Sequence, residues 1–214
     1  MSWHDNLKSR AQREMQDRGN DPSHDYAHAC NVLDSCEQIV AVEGGDMDIL
    51  FPAALFHDVV IYPKNHPKSD QAPAESAELA RSILEAEETY PQAKISAVED
   101  CICHCSFSKQ DEPQTLEIGI LRDADRLAAT GAIAIMRTFA SSGQMGRQLY
   151  DQTDPFAVAR ETEAKKYALD LFYERLLIAR DKMYTKTAKE MATERTEFLK
   201  SFLVQLEKEI IKQV

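Results

Sequence analysis

An all-α fold is predicted by three features of the sequence. Residues of high helix propensity fill most of the chain, glycine (7) and proline (8) are few, and both fall between stretches whose apolar residues recur with helical spacing. With 214 residues, of which 43% are hydrophobic, the chain is long enough for one well-packed domain and short for two. We therefore predict a single helical domain over residues 1–214.

Five helices are predicted in the N-terminal half, where helix breakers and capping residues mark their ends. Gly19-Asn20 and Gly44-Gly45 end the first two helices, because glycine tolerates the backbone conformation that closes a helix. Asp46 is a suitable N-cap for the third, and Pro73 and Pro91 begin the next two. The predicted ranges are 2–18, 25–43, 46 through the stretch 53–58, 73–87 and 91–104.

The C-terminal half is predicted to continue as helices joined by loops. An apolar helix at 116–129 contains Arg122-Asp123-Ala124-Asp125-Arg126, and Gly131 begins another helix to about residue 140. Residues 141–146 are rich in Ser and Gly and are predicted to form a loop. Asp154-Pro155 resembles an N-cap and first turn, which predicts a long helix to about residue 182. A final amphipathic helix is predicted to follow Thr185.

Charge and hydrophobicity narrow the function classes. The net charge of -11 at pH 7 argues against a general affinity for nucleic-acid polymers, because their phosphate backbone normally requires a basic face. No apolar run has the length of a membrane span, and the N-terminus enters charged residues without a signal-peptide core. We therefore expect a cytoplasmic protein with no membrane partner. The sequence leaves open whether copies of the chain form a homo-oligomer.

The five cysteines are expected to be free thiols, because an odd count in a chain of this length does not fit a small disulfide framework. The run Cys101-Ile102-Cys103-His104-Cys105 could alternatively form a metal knuckle. On a helix, however, only Cys101, Cys105 and His104 share a face, which is too few ligands for a closed zinc site. Buried reduced cysteines are the favoured interpretation.

The sequence contains three His-Asp dipeptides, and their contexts separate them. His4-Asp5 lies among polar residues, and His24-Asp25 lies at a helix start, where capping explains the aspartate. His57-Asp58 instead ends the apolar run Ala53-Ala54-Leu55-Phe56. An imidazole and a carboxylate are costly to bury unless something compensates them, and a divalent metal would do so.

Two other stretches carry residues of the same chemistry. His24 and His28 are four residues apart and therefore share one face of a helix. Asp123 and Asp125 lie in an apolar helix, where a buried carboxylate requires a metal or a salt-bridge partner to remain charged. The polar loop at 61–70 follows the His-Asp helix and is a natural place for substrate contacts, although a plain connector is equally compatible with it.

Together these residues resemble the HD-domain metal-dependent phosphohydrolase superfamily, whose pattern is a lone His, a His-Asp pair and a later Asp around one metal. The three elements read here His24-Asp25-Tyr26-Ala27-His28, Leu55-Phe56-His57-Asp58 and Asp123-Ala124-Asp125-Arg126-Leu127. The resemblance implies a metal-binding core at about 24–130, followed by C-terminal helices at about 131–214. It also implies one divalent ion (Mn, Fe, Mg, Ni or Zn, with Mn favoured) and the ligands His28, His57, Asp58 and Asp125.

Residues 125–133 and 170–177 extend the resemblance to a subfamily of single-domain bacterial and archaeal HD hydrolases. Some members of that subfamily release pyrophosphate from nucleoside triphosphates, so the resemblance implies a small phosphorylated substrate and favours a nucleotide. One alternative is a phosphatase that acts on nucleoside monophosphates through the same metal. Another is a non-catalytic module that retains the fold and binds a nucleotide or the metal.

Further residues are candidates for roles around the metal. Asp58 is expected to be catalytic as well as a ligand, and His24 is expected to act beside the centre without coordinating the metal. Phosphoryl chemistry also needs positive charge at the developing oxyanions. The candidate cations are Lys64, Arg122, Arg126, Lys165 and Lys166, and His104 is a candidate substrate contact at a helix end.

Lys64 yields a prediction from the sequence alone. It follows the His-Asp pair by a short loop fixed by Pro63, so it could fold back over the phosphates of a triphosphate. Lys64→Ala should therefore reduce kcat/KM far more for a nucleoside triphosphate than for a monophosphate, because only the longer chain needs the additional charge. Steady-state kinetics on both substrates in manganese buffer measure the difference. Equal losses on the two substrates would contradict this role.

Overall fold

The computed structural model describes residues 2–18, 24–62, 66–105 and 112–210. Over these ranges the protein is helical, and the one pairing of extended backbone is an isolated bridge between Gln148 and Tyr167. The prediction of an all-α fold is confirmed. The chain divides into two compact units, Met1–Asp125 and Arg126–Val214, close to the predicted boundary at 130/131. That all 214 residues form one domain stays a prediction.

The first unit contains six helices, and their ends lie within about one turn of the predicted ones. They are α1 (Trp3–Arg18), α2 (Tyr26–Glu43), α3 (Met47–Phe56), α4 (Ala72–Glu85), α5 (Ile95–His104) and α6 (Leu116–Leu127). Single 3-10 turns, Ser69–Gln71 and Gln92–Lys94, lead into α4 and α5. The predicted stop at Gly19-Asn20 lies outside the described residues, whereas Gly44 closes α2 with a φ of 78° and donates its N–H to the carbonyl of Val40.

Helix α3 lies at the centre of the first unit. All residues from Leu50 to Phe56 are buried, and α3 packs against α1, α2, α4 and α5. A helix that is apolar on every side must be covered on every side, and burial of each large side chain stabilises the fold by about 1.5–3 kcal/mol. The burial of α3 therefore fixes where its last residue, Phe56, and the following His57-Asp58 lie.

A proline inside α3 is compensated by a distant tyrosine. Pro52 has no N–H, so it cannot donate to the carbonyl of Asp48 one turn earlier. The hydroxyl of Tyr90 donates to that carbonyl at 2.9 Å. Burial of the tyrosine raises its pKa, so the hydroxyl keeps the proton that it donates. The backbone acceptor that the proline would have left without a partner is therefore satisfied by a side chain.

The second unit is built around two longer helices, α7 (Gly131–Gln144) and α8 (Lys186–Ile210). Between them lie an irregular segment, a π-helical turn (Phe172–Leu176) and a 3-10 turn (Ala179–Lys182). Phe172 stacks on Phe202 with ring centroids 5.7 Å apart. The buried side chains of this core are Ala134, Leu169, Phe172, Leu176 and Leu199.

The predicted loop at 141–146 is wrong for its first four residues, because α7 continues to Gln144. Ser141 donates its hydroxyl to the carbonyl of Thr138, and Ser142 is buried against the unit's interior. A serine that bonds back to the preceding turn is satisfied within a helix, so its preference for loops is lost. The helix ends where Met145 donates its N–H to Ser141 and Gly146 takes a φ of 65°.

The predicted helix from Asp154 to about residue 182 is also wrong, because residues 151–168 form no helix. The carboxylate of Asp154 accepts N–H groups from Val158, Ala159 and Arg160, which spread over more of the chain than a helix N-cap reaches. Ala157 has a φ of 52°, which a right-handed helix does not allow. Side-chain acceptors therefore hold this segment in an irregular loop.

One finding bears on membranes. In the part of the chain that the structure describes, no helix combines the length and the apolar character that crossing a bilayer requires.

The loop at 151–168 generates a stability prediction. Asp170 is fully buried and accepts hydrogen bonds from both terminal nitrogens of Arg160, at 2.6 and 2.8 Å, and from the N–H of Glu163 at 2.6 Å. Asp170→Ala should lower the free energy of unfolding by about 3 kcal/mol, because it leaves a guanidinium without its buried counter-ion. Urea denaturation followed by circular dichroism measures the change.

The matched control is Asp181→Ala, which removes an exposed carboxylate 3.6 Å from Arg180 in the same unit. An exposed pair of this kind contributes little, so the loss should be about 0.5 kcal/mol or less. Similar effects of the two substitutions would show that the Arg160–Asp170 pair does not hold the loop.

Candidate metal centre

His57 follows the last turn of α3, and its hydrogen bonding fixes which ring nitrogen carries the proton. Its Nδ1 lies 2.8 Å from the carbonyl oxygen of Ala54, which can only accept a hydrogen bond. Nδ1 is therefore protonated, and Nε2 of the neutral ring presents a lone pair. A backbone carbonyl often orients a metal-binding histidine in this way. The ring is 2% exposed, so the orientation is held by the core.

His28 lies in the first turns of α2, and its position is set by the start of that helix. The carboxylate of Asp25 accepts the N–H of His28 at 2.9 Å, which makes Asp25 the N-cap. This supports the capping interpretation of Asp25. The His28 side chain is 3% exposed, and its ring centroid lies 5.3 Å from that of His57. The two imidazoles therefore lie side by side although α2 and α3 supply them separately.

Two carboxylates approach the imidazoles. Nε2 of His28 is 3.4 Å from Oδ1 of Asp125 and 3.7 Å from Oδ2 of Asp58. Nε2 of His57 is 3.9 Å from Oδ1 of Asp125 and 3.5 Å from Oδ2 of Asp58. Two donor atoms each about 2.1 Å from one ion are about 3.0 Å apart when adjacent and about 4.2 Å apart when opposite. All four distances therefore suit ligation of a single ion.

His28, His57 and Asp125 also satisfy a direct geometric test, since one ligand atom from each lies within 4.8 Å of the other two. Among the described residues, Nε2 of His57 is buried and has no hydrogen-bond partner, although it faces two carboxylate oxygens. A lone pair pointing at anionic oxygens is unfavourable unless a cation lies between them. The donor set therefore fits a divalent metal. Both carboxylate side chains remain partly exposed, 29% for Asp58 and 23% for Asp125, so the centre is open to solvent.

Comparisons with known proteins agree with this geometry. The profile of the family described as "HD domain" matches residues 25–130, which include all four candidate ligands. YpgQ of Bacillus subtilis (strain 168), described as uncharacterized, is 33% identical over 200 residues, covering 87% of this chain and 84% of YpgQ.

The chain belongs to the HD-domain phosphohydrolase superfamily.

Solved structures show the same similarity. The crystal structure of B. subtilis YpgQ in complex with ADP superposes with a TM-score of 0.71 at 28% identity, covering 96% of this chain and 94% of that chain. A structure of an HD-superfamily hydrolase from Bacillus thuringiensis has a TM-score of 0.71 at 28% identity and covers 96% of this chain and 95% of its own. The protein is thus an HD-superfamily hydrolase. The assignment of individual site residues stays a prediction.

His24 lies at the solvent edge of the group formed by His28, His57, Asp58 and Asp125, which we call the HD centre. Its Nε2 is 3.9 Å from Oδ2 of Asp58, and its ring centroid is 5.8 Å from that of His28. The side chain is 33% exposed, whereas that of His28 is 3% exposed. The structure thus places His24 beside the centre and at its solvent edge, next to one carboxylate.

The C-terminal end of α5 lies near the same carboxylates. The Cys105 thiol is buried, and its pKa is raised well above its usual value by burial and then by the charges of Asp58 and Asp125. It therefore remains a neutral thiol. Nδ1 of His104 contacts the carbonyl of Asp100 at 2.8 Å, so the proton of the neutral ring lies on Nδ1 and the lone pair on Nε2. All five cysteines are free, as predicted.

The candidate cations differ in their surroundings. Arg122 is 1% exposed and donates from Nε to the carbonyl of His104 at 2.6 Å, which ties α6 to the end of α5. Arg126 is 4% exposed, donates to the carbonyl of Lys182 and lies over the ring of Tyr184.

Lys165 and Lys166 are exposed, and the Lys166 amine lies 4.7 Å from the ring centroid of Tyr167. Lys64 lies outside the described residues. Substrate binding by each of these residues stays a prediction.

Sequence reasoning missed two features at this end of the unit. Cys105 was assigned to the core without any relation to Asp58, and the ring pair of Tyr62 and His66 was treated as part of a polar loop. A signal for the second existed, because Tyr62 and His66 place two aromatic rings close to a His-Asp pair, in a loop otherwise rich in Pro and Lys. No spacing rule could have found the first, because it depends on how α5 packs.

The dipeptide His4-Asp5 provides a matched control for a metal-binding prediction. Asp58→Asn should lower the content of bound divalent metal at least tenfold, because it removes a charged candidate ligand while keeping the side-chain volume. Asp5→Asn makes the same change after an exposed histidine on α1 and should leave the metal content unchanged. Elemental analysis of purified protein gives the metal content, and circular dichroism checks the fold. Full metal occupancy in Asp58→Asn would contradict the ligand assignment.

Proposed function

We propose that this HD hydrolase is a nucleoside triphosphate pyrophosphohydrolase that uses one divalent metal, with manganese favoured. The observation that carries the proposal is the buried Nε2 of His57, whose lone pair faces Asp58 and Asp125 in the centre described above. The complex of the related YpgQ with ADP favours a nucleotide over other phosphorylated metabolites. The acidic chain, with a net charge of -11, is poorly suited to a nucleic-acid polymer.

His28, His57, Asp58 and Asp125 would hold the metal. When bound, a divalent ion in such a site polarises the phosphoryl group and lowers the pKa of water. The open sides of Asp58 and Asp125 allow a phosphate oxygen and a water molecule to reach the centre. The buried sides, formed by His28 and His57, hold the centre rigid against the core.

The chain's own residues account for the proton that the reaction must move. The oxygen of a water molecule bonds to the α-phosphorus, and the bond from that phosphorus to the bridging oxygen breaks, so that pyrophosphate leaves. The attacking water must lose a proton. The carboxylate of Asp58 would accept it, and His24, whose Nε2 lies 3.9 Å from Oδ2 of Asp58 and whose side chain is 33% exposed, would pass it to solvent. Imidazole suits this role because one ring nitrogen can accept a proton while the other donates one.

Product analysis tests the reaction class. The wild-type protein with Mn²⁺ should convert a nucleoside triphosphate to the monophosphate and pyrophosphate, with phosphate and pyrophosphate assayed separately. Release of phosphate from monophosphates without pyrophosphate would favour the phosphatase alternative. Nucleotide binding without turnover, across a range of nucleoside triphosphates, would favour the non-catalytic module.

Substitution of His24 tests its proposed role in proton transfer separately from metal binding. His24→Gln should lower kcat by about 100-fold or more, because a positioned proton acceptor contributes about 10²–10⁴-fold. Bound metal should not change, because His24 is not expected to be a ligand. Kinetics and elemental analysis on the same preparation give both readouts. A parallel loss of metal would show that His24 coordinates the ion instead.

A further inference from the structure

Two aromatic rings stack in the segment that follows Asp58. The rings of Tyr62 and His66 have centroids 4.8 Å apart and an interplanar angle of 4°. Both residues are half-buried, so the pair lies at the surface rather than in the core. A parallel stack of two half-buried residues leaves part of its π surface accessible to solvent. We name it the Tyr62–His66 platform.

Each ring of the platform is held by a specific hydrogen bond. The hydroxyl of Tyr62 donates to Oε2 of Glu75 on α4 at 2.6 Å, and this bond raises the pKa of Tyr62, which therefore remains protonated. Nδ1 of His66 accepts the N–H of Lys68 at 3.2 Å. Nδ1 thus carries a lone pair, and the proton of the neutral ring lies on Nε2. Both ring orientations are set before any ligand binds.

The backbone between Asp58 and the platform is fixed to α4. Ser76, which is fully buried, accepts the N–H of Val60 at 3.1 Å and donates to its carbonyl at 3.4 Å. Ser76 adjoins Glu75, so consecutive residues of α4 hold Val60 and Tyr62. Four residues of chain span at most about 14 Å, so the Cα of Tyr62 lies within about 14 Å of the Cα of Asp58, a separation that a nucleoside triphosphate can bridge.

We propose that the Tyr62–His66 platform binds the base of the nucleotide whose phosphates lie at the HD centre. This inference rests on the proposed function and names the base-binding part of the same site. A flat π surface stacks on any base, and Nε2–H of His66 can donate a hydrogen bond to a ring acceptor. The carboxylate of Glu75 beside Tyr62 repels phosphate, so the platform suits the uncharged end of the nucleotide.

The rival interpretation is that the stack only stabilises its own loop. The two interpretations differ in what happens to a ligand that has no base. Inorganic tripolyphosphate carries the phosphate chain of ATP alone, so loss of a base platform should leave its binding unchanged. If the loop only supports the phosphate site, disruption of the stack should weaken the binding of ATP and of tripolyphosphate alike.

His66→Ala removes one ring, and His66→Phe is the matched control that retains a flat ring. In manganese buffer, His66→Ala should raise KM for ATP and the Kd of ADP about tenfold, as expected for the loss of one stacking contact. The inhibition constant of tripolyphosphate against ATP hydrolysis should not change. His66→Phe should stay within about threefold of wild type for ATP, because stacking is preserved.

Equal weakening of ATP and tripolyphosphate, or no change in either, would overturn the platform while leaving the proposed function intact. A wild-type protein that binds ADP without hydrolysing any of a range of nucleoside triphosphates would overturn the proposed function, and calorimetric titration of ADP into His66→Ala and His66→Phe would still decide the platform. A wild-type protein that binds neither ADP nor ATP would overturn both.

Discussion

The burial of one imidazole is the constraint on which the rest of this structure depends. His57 lies at the end of a helix that is apolar on all sides, so its ring can satisfy Nδ1 through the Ala54 carbonyl but must find another kind of partner for Nε2. The fold meets this requirement by bringing His28 from α2 and Asp125 from α6 close to His57 and the adjacent Asp58. The packing of the apolar core thereby determines which polar groups meet at its edge.

The helices of the first unit could be predicted because their signals are local, and the candidate ligands were proposed because three short motifs resemble those of the HD family. Asp46 caps α3 and Gly44 closes α2 through contacts within a few residues, and His57-Asp58 is recognisable by the apolar run before it. The segment after Asp154 was mispredicted for a physical reason. An N-cap aspartate and an aspartate that gathers N–H groups of a loop look the same in sequence, and only distant partners, such as Asp170 for Arg160, distinguish them.

Contacts around the candidate metal centre were harder to predict than its candidate ligands, because the partners of long side chains are not specified by sequence spacing. Arg122 and Arg126 have the charge that a phosphate requires, yet Arg122 is drawn to the carbonyl of His104 and Arg126 to that of Lys182. The stack of Tyr62 on His66 likewise depends on Glu75 and Ser76, which lie one helix further along the chain. Such partners become visible only when the helices are packed.

The pairing of Pro52 with Tyr90 has a consequence for how variation in this chain should be interpreted. The proline leaves one carbonyl of α3 without its usual donor, and the tyrosine hydroxyl replaces that donor from a loop 42 positions away. Each residue is tolerable because of the other, so their effects on stability are epistatic. Tyr90→Phe should lower the free energy of unfolding more in the chain with Pro52 than in a Pro52→Ala variant. Only the proline leaves the carbonyl without a backbone donor and so makes the tyrosine hydroxyl necessary. The residue that α3 tolerates at position 52 therefore depends on the residue at position 90, which lies outside this helix.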